Sequence, residues 1–176
     1  MDRVGQSGRR ADRKIITCRG DQLVAPTRAI MSLPPKLQEI VDDFSGMTRD
    51  EKLESLLAYA ETFPPLPEWL KERRDNMEPV PECMTPVFLF AEHLPTGRIH
   101  FHLDIPPQSP TVRGLASILT NGLNGSTPEE IISVPGDFFL PMNLQEAISQ
   151  QRLTGFVGVL GHMKQEAVKL LEKKGS

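Results

Sequence analysis

Residues 98 to 104, RIHFHLD, alternate polar and apolar side chains without a break. Alternation with a period of two is the mark of a strand with one buried face. Pro95-Thr96-Gly97 in front of it reads as a turn, and Val87 to Ala91 as the partner strand. This predicts a β-hairpin with Ile99, Phe101 and Leu103 on one face and His100 and His102 on a wet face. A lone hairpin is marginal in water, so its apolar face needs a cover. The rest of the chain reads as helices, which can supply it.

Ser32 can cap a first helix, with Pro34 and Pro35 in its first turn. Leu37, Ile40, Val41 and Phe44 follow at helical spacing. Thr48-Arg-Asp-Glu51 is a capping box that opens a second helix over Leu53, Leu56, Leu57, Ala60 and Phe63. Pro64, Pro65 and Pro67 stop it, and a helical turn is expected around Trp69 and Leu70. After the hairpin, Ser109-Pro110 starts a third long helix, with Val112, Leu115, Ile118, Leu119 and Leu123 inward, ended by Asn124-Gly125. Thr127-Pro128-Glu129-Glu130 is another N-terminus. Asp137-Phe138-Phe139 and Leu144 to Ile148 read as short helical pieces, and Phe156 to Leu171 as the last helix. This order predicts an α+β fold, a small antiparallel sheet packed on one face by helices.

Residues 1 to 31 stand apart. They are rich in charge and biased to arginine, with apolar residues only in short clusters such as Ile15-Ile16. They read as a disordered leader or a misassigned start, with Met31 as a more natural beginning, and an ordered domain over 32 to 174. The net charge of −3 argues against nucleic acid as a partner, because phosphate binding leaves a basic footprint. No run reaches the length of a membrane span. With two cysteines and no secretory signal, the expected setting is the reducing cytoplasm, with Cys18 and Cys83 free. There is no CxxC, no P-loop and no GxGxxG. No metal and no cofactor of the chain's own are expected.

Cys83 lies in EPVPECMTPVFLF, with Pro79 and Pro81 before it and Pro86 after it. Each proline fixes its own φ and drives the preceding residue toward extended backbone. The stretch reads as a stiff loop that carries a thiol into a strand. Glu82 and Glu78 oppose thiolate formation, and no local residue acts as an activating base. From these residues alone Cys83 is either a working thiol or a small buried residue at a strand entrance. His100 and His102 point the same way from one strand, but no further metal ligand has a recognisable spacing. His93 and His162 read as isolated. Arg113 and Arg152 sit near helix starts. Either can hold an anion or a partner carboxylate, or serve as a surface charge.

The order of these motifs resembles the SufE family of sulfur-acceptor proteins. The resemblance rests on Val80-Pro-Glu-Cys83-Met-Thr-Pro-Val87, on Arg113-Gly114-Leu115-Ala116, on Thr127-Pro-Glu-Glu-Ile131, and on Gln150-Gln-Arg152-Leu-Thr-Gly155-Phe156. The family's cysteine loop is of the type V-x-G-C-x-S-x-V, so Glu82 replaces a glycine, Thr85 a serine and Pro86 a glutamine. Pro106-Pro107-Gln108 stands where an acidic segment is usual, and Gln151 where a serine precedes the late arginine. The resemblance implies an IscU-like α+β fold with Cys83 as the catalytic residue. It implies that Cys83 takes a persulfide from a pyridoxal-phosphate-dependent cysteine desulfurase of the SufS type. The sulfur then passes to an iron–sulfur scaffold of the SufBCD type. Such a protein is a carrier and activator more than an autonomous enzyme. Arg113 and Arg152 are candidates for partner contact or for holding the persulfide anion. The thiol is expected against the apolar start of the strand, near Val87 and Leu115. Two other readings stay open: a cysteine hydrolase with His100 or His162 as base, and an interaction module whose cysteine is silent.

Overall fold

The structure, a computed structural model, describes residues 33–175. The leader expected over 1 to 31, Cys18 and the Ser32 cap lie outside the described residues. Helix α1 spans Pro35–Ser45, with Pro34 at its N-cap. Helix α2 spans Arg49–Glu61 and opens on the expected capping box. The Thr48 N–H donates to the Glu51 carboxylate at 2.7 Å while the Thr48 hydroxyl oxygen accepts from the Glu51 N–H. A short α3, Glu68–Lys71, follows the proline stop. Three strands come next: β1 at Glu78–Pro79, β2 at Phe88–His93 and β3 at Ile99–Asp104. Helix α4 is Pro110–Leu123 and α5 is Pro128–Ser133, the latter opened by a second capping box between Thr127 and Glu130. Two 3-10 turns lead into α6, Gln150–Gly175.

The sheet is antiparallel in the order β1-β2-β3, with Leu89 opposite Leu103 and Ala91 opposite Phe101. Ile99, Phe101 and Leu103 are buried, as their alternation requires. Helices α4 and α6 lie against the sheet, and α1 and α2 pack on α4. Glycine sets how closely they approach. A Cβ on Gly114 would stand 2.2 Å from the Leu56 carbonyl oxygen, and one on Gly122 would stand 2.7 Å from Leu37. The outer edge of β3 is covered by the link between α4 and α5. The Asn124 side chain accepts from the Phe101 N–H at 2.7 Å, and the Ile99 N–H donates to the Ser126 carbonyl at 3.1 Å. The bend there needs a left-handed residue, and Gly125 has φ +83°. An edge occupied in this way offers no row of free donors to another chain.

The α+β fold expected from the hairpin and the helix order is the one found. Its details differ in four places. The two-residue β1 was not expected, because a strand that short has no period to read. Helix α6 begins at Gln150 rather than at Phe156, since Gln150-Gln-Arg-Leu-Thr carries little apolar signal on its own. Asp137-Phe138-Phe139 forms a turn that leads into the 3-10 segment Leu140–Met142. The face carrying His100 and His102 is not simply wet. Trp69 of α3 lies edge-on to both Phe90 and His102, with centroids 5.6 Å away in each case. The covering residue is far away in sequence, so the strand's own alternation could not report it. Among the described residues no helix is long and apolar enough to cross a membrane.

Candidate functional site around Cys83

The loop from β1 to β2 is built by its prolines and by two backbone hydrogen bonds. The Val80 N–H donates to the Val87 carbonyl at 2.9 Å and closes the loop at its base. The Cys83 N–H donates to the Val80 carbonyl at 3.2 Å, which makes residues 80–83 a β-turn. Pro81 occupies the second position of that turn, where its fixed φ is preferred. The prolines around Cys83 therefore hold a turn whose last residue is the thiol. Met84, next to it, is 79% exposed at the tip of the loop. Its sulfur accepts a contact from the Gln151 side-chain amide.

Cys83 is half-buried and opens onto a cavity of about 360 Å³. Val112, Leu115 and Ala116 of α4 line one side, and Arg152, Gly155 and Phe156 of α6 another. The chamber is mainly apolar, with one cation at its rim. Burial pushes the Cys83 thiol up from its ordinary pKa, and the Glu82 carboxylate adds to that shift. The free thiol is thus held in its protonated form. Gly155 makes room for it, since a Cβ there would lie 2.7 Å from Sγ.

One turn along α6 the pattern repeats. A Cβ on Gly158 would lie 2.7 Å from the Cβ of Glu82. One further turn on stands His162, which meets Glu78 through Nδ1 at 2.8 Å and Glu82 through Nε2 at 3.1 Å. Lys169 meets Glu78 at 3.3 Å and Glu166 at 2.5 Å. Burial pushes the Glu78 carboxyl up, but hydrogen bonds with His162, Glu166 and Lys169 outweigh it and hold it below the ordinary carboxylate value.

The structure brings Cys83 and Arg152 to one cavity, and Leu115 lines it as expected. Arg113 is elsewhere. Its guanidinium stacks over Phe63 at 5.1 Å, its Nε is buried without a hydrogen-bond partner, and it lines a separate depression with Leu57, Glu61 and Pro107. His100 packs against His102 at 4.7 Å between centroids and faces Asn124. His102 pairs with Glu92 at 2.8 Å. No group of three or more metal-ligating side chains occurs among the described residues. His162 was read as isolated, yet it joins Glu78 of β1 to Glu82 of the cysteine-bearing turn. Its signal was available: Gly155, Gly158 and His162 follow helical spacing and mark one face of α6.

The family model described as SufE, Fe-S metabolism associated domain, matches residues 38–167. The chain belongs to the SufE family. It is 41% identical over 133 residues to an uncharacterised SufE-like protein of Mycobacterium tuberculosis, covering 76% of this chain and 92% of that one. It is 24% identical over 147 residues to a Plasmodium vivax protein named cysteine desulfuration protein SufE, covering 80% of this chain and 56% of that one. A solution structure of a hypothetical protein from Thermus thermophilus superposes with a TM-score of 0.70 at 30% identity, covering 80% of this chain and 99% of that one. A SufE-family chain thus carries a half-buried thiol, a mainly apolar chamber and an arginine at one place on its surface.

Proposed function

We propose that this SufE-family protein is a sulfur carrier that works with a pyridoxal-phosphate-dependent cysteine desulfurase, with Cys83 as the acceptor. In this reading Cys83 gives up its proton on docking, to the thiolate that leaves the desulfurase, and its sulfur attacks the outer sulfur of a persulfide on the desulfurase. The bond between the desulfurase's two sulfurs breaks, its cysteine leaves as the thiolate, and a new sulfur–sulfur bond forms on Cys83. The carrier then gives that sulfur to an iron–sulfur assembly scaffold in the cytoplasm. The observation that carries the reading is the placement of Cys83, in a proline-stiffened turn at the mouth of an apolar chamber. A loop already ordered costs less to present to a partner. A mainly apolar chamber, reached only from its mouth, suits a persulfide in transit. Arg152 at the rim is suited to the anionic persulfide or to a partner carboxylate. Arg113, over its own depression, is suited to partner contact alone.

A hydrolase would need a base beside the sulfur. Both nitrogens of His162 are taken by carboxylates, and His100 faces Asn124, which favours the carrier. The test is to mix the protein with a cysteine desulfurase and free cysteine. Mass spectrometry should show an added sulfur on Cys83, and desulfurase turnover should rise. Cys83→Ser should lose both effects, and Arg152→Glu should weaken the stimulation while leaving the fold intact. A wild-type protein that gains no sulfur, or a serine variant that stimulates fully, would overturn the reading.

A further inference from the structure

We propose that His162 is a positioning residue: bridged between Glu78 and Glu82, it latches the Cys83 turn onto α6 and sets how far the thiol is exposed. Three observations meet at this point. First, the two carboxylates lie at opposite ends of one short segment. Glu78 is in β1, and Glu82 immediately precedes Cys83. Second, carboxylate oxygens only accept hydrogen bonds, so the contacts at 2.8 and 3.1 Å are both satisfied when both ring nitrogens carry hydrogen. Each contact is then a ring N–H donating to a carboxylate, the charge-assisted arrangement that makes hydrogen bonds strong. Third, Gly158 leaves the space that the Glu82 side chain needs to lie flat on the helix.

The latch acts on Cys83 through geometry. Gly155, Gly158 and His162 stand on one face of α6, opposite Cys83 Sγ, the Cβ of Glu82 and the carboxylate of Glu82 respectively. The last contact is the only one of the three that a polar bond fastens. If it opens, the turn is left on α6 with van der Waals contacts to two glycines and the contact of Gln151 with the Met84 sulfur, which hold weakly. The charged groups facing His162 are Glu78 from β1 and Glu82 from the turn. Glu166 and Lys169 of α6 act on it through Glu78. Glu82 is thus more than a charge that disfavours the thiolate. It is the handle by which the helix holds the loop. A partner that draws Cys83 out has to break this contact first, a consequence that rests on Cys83 being the sulfur acceptor.

The latch itself is tested without any sulfur donor, so its failure and that of the carrier reading are separable. The full chain is treated with iodoacetamide, and Cys83 modification is followed by peptide mass. Each rate is referred to a short unstructured peptide and to the thiolate fraction from that variant's own pH profile. Glu82→Ala and His162→Leu should each raise the normalised rate about three- to tenfold, the scale of a charge-assisted hydrogen bond in a half-exposed pair. The double variant should gain no more than the faster single one, because both remove the same contact. His162→Arg, which again offers N–H donors to both carboxylates, should restore most of the protection. Unchanged rates in the single variants, multiplied effects in the double, or an arginine variant as fast as leucine would each overturn the latch. If His162→Leu fails to fold by circular dichroism, Glu82→Ala decides alone. Its side chain is half-exposed, and an unchanged rate there refutes the proposal.

Discussion

Helices α4 and α6 both use glycine to bring another segment close, but they bring different things. On α4, Gly114 meets the backbone of Leu56, and Gly122 meets the Cα and side chain of Leu37. These contacts join helix to helix and lie within the core. On α6, Gly155 and Gly158 meet the side chains of Cys83 and Glu82 in a half-exposed turn. The first pair fixes the scaffold. The second seats a loop that carries chemistry. Removing Cβ has the same steric effect in both places, so what differs is whether the neighbour can yield. A helix backbone locked into its own hydrogen bonds cannot shift without breaking them, whereas a surface turn can lift.

The comparison breaks most visibly at Gly114. Alanine there gains up to about 1 kcal/mol of helix propensity. That gain is opposed by a Cβ 2.2 Å from the Leu56 carbonyl oxygen. Overpacking of a closed core costs about 1–3 kcal/mol, and more where backbone must move. Gly114→Ala should therefore lower stability by roughly 1–3 kcal/mol in urea unfolding. An unchanged midpoint would show that the contact between α2 and α4 is softer than its geometry says.

Gly155→Ala should behave oppositely. The neighbour is a cysteine sulfur on a turn, so the loop moves before the helix does. Stability should stay within about 1 kcal/mol of wild type, because propensity and clash nearly cancel. The thiol should be pushed outward and its alkylation by iodoacetamide should rise severalfold. A variant that loses stability while its thiol stays protected would make α6 a scaffold like α4 and remove the distinction.

How much of this was legible in the sequence follows the same division. The scaffold was readable because its signals are local. Thr48 and Glu51, or Thr127 and Glu130, lie three residues apart and each make their own cap. The alternation of Ile99, Phe101 and Leu103 states its buried face within seven residues. The position of Cys83 in a proline-flanked loop was legible for the same reason, because prolines act on their immediate neighbours. What escaped was long-range. Trp69 reaches His102, and His162 reaches Glu78 across 84 positions. Arg113 and Arg152 looked equivalent in sequence, each near a helix start. Only the packing of α2 against α4 turns Arg113 over Phe63 and away from the chamber that Arg152 lines.

The smallest expected effect tests whether the loop side depends on charge as the scaffold side does not. The Glu78 carboxyl is held below its ordinary value of 4.5 in the folded protein. A carboxyl with a lowered folded pKa stabilises the fold fully above its unfolded value. That contribution is lost as the pH falls through the folded one. Glu78→Gln removes it at every pH. The stability difference between wild type and Glu78→Gln should therefore be present at pH 6 and should shrink as the pH drops below 4.5. Since the pair is partly exposed, the difference should stay under about 1 kcal/mol. Gly114→Ala, measured across the same range, should show a deficit that does not move with pH, because its cause is steric. If the Glu78→Gln difference is flat with pH, the carboxylate is not paired as drawn, and the loop is held by packing alone, as the helices are.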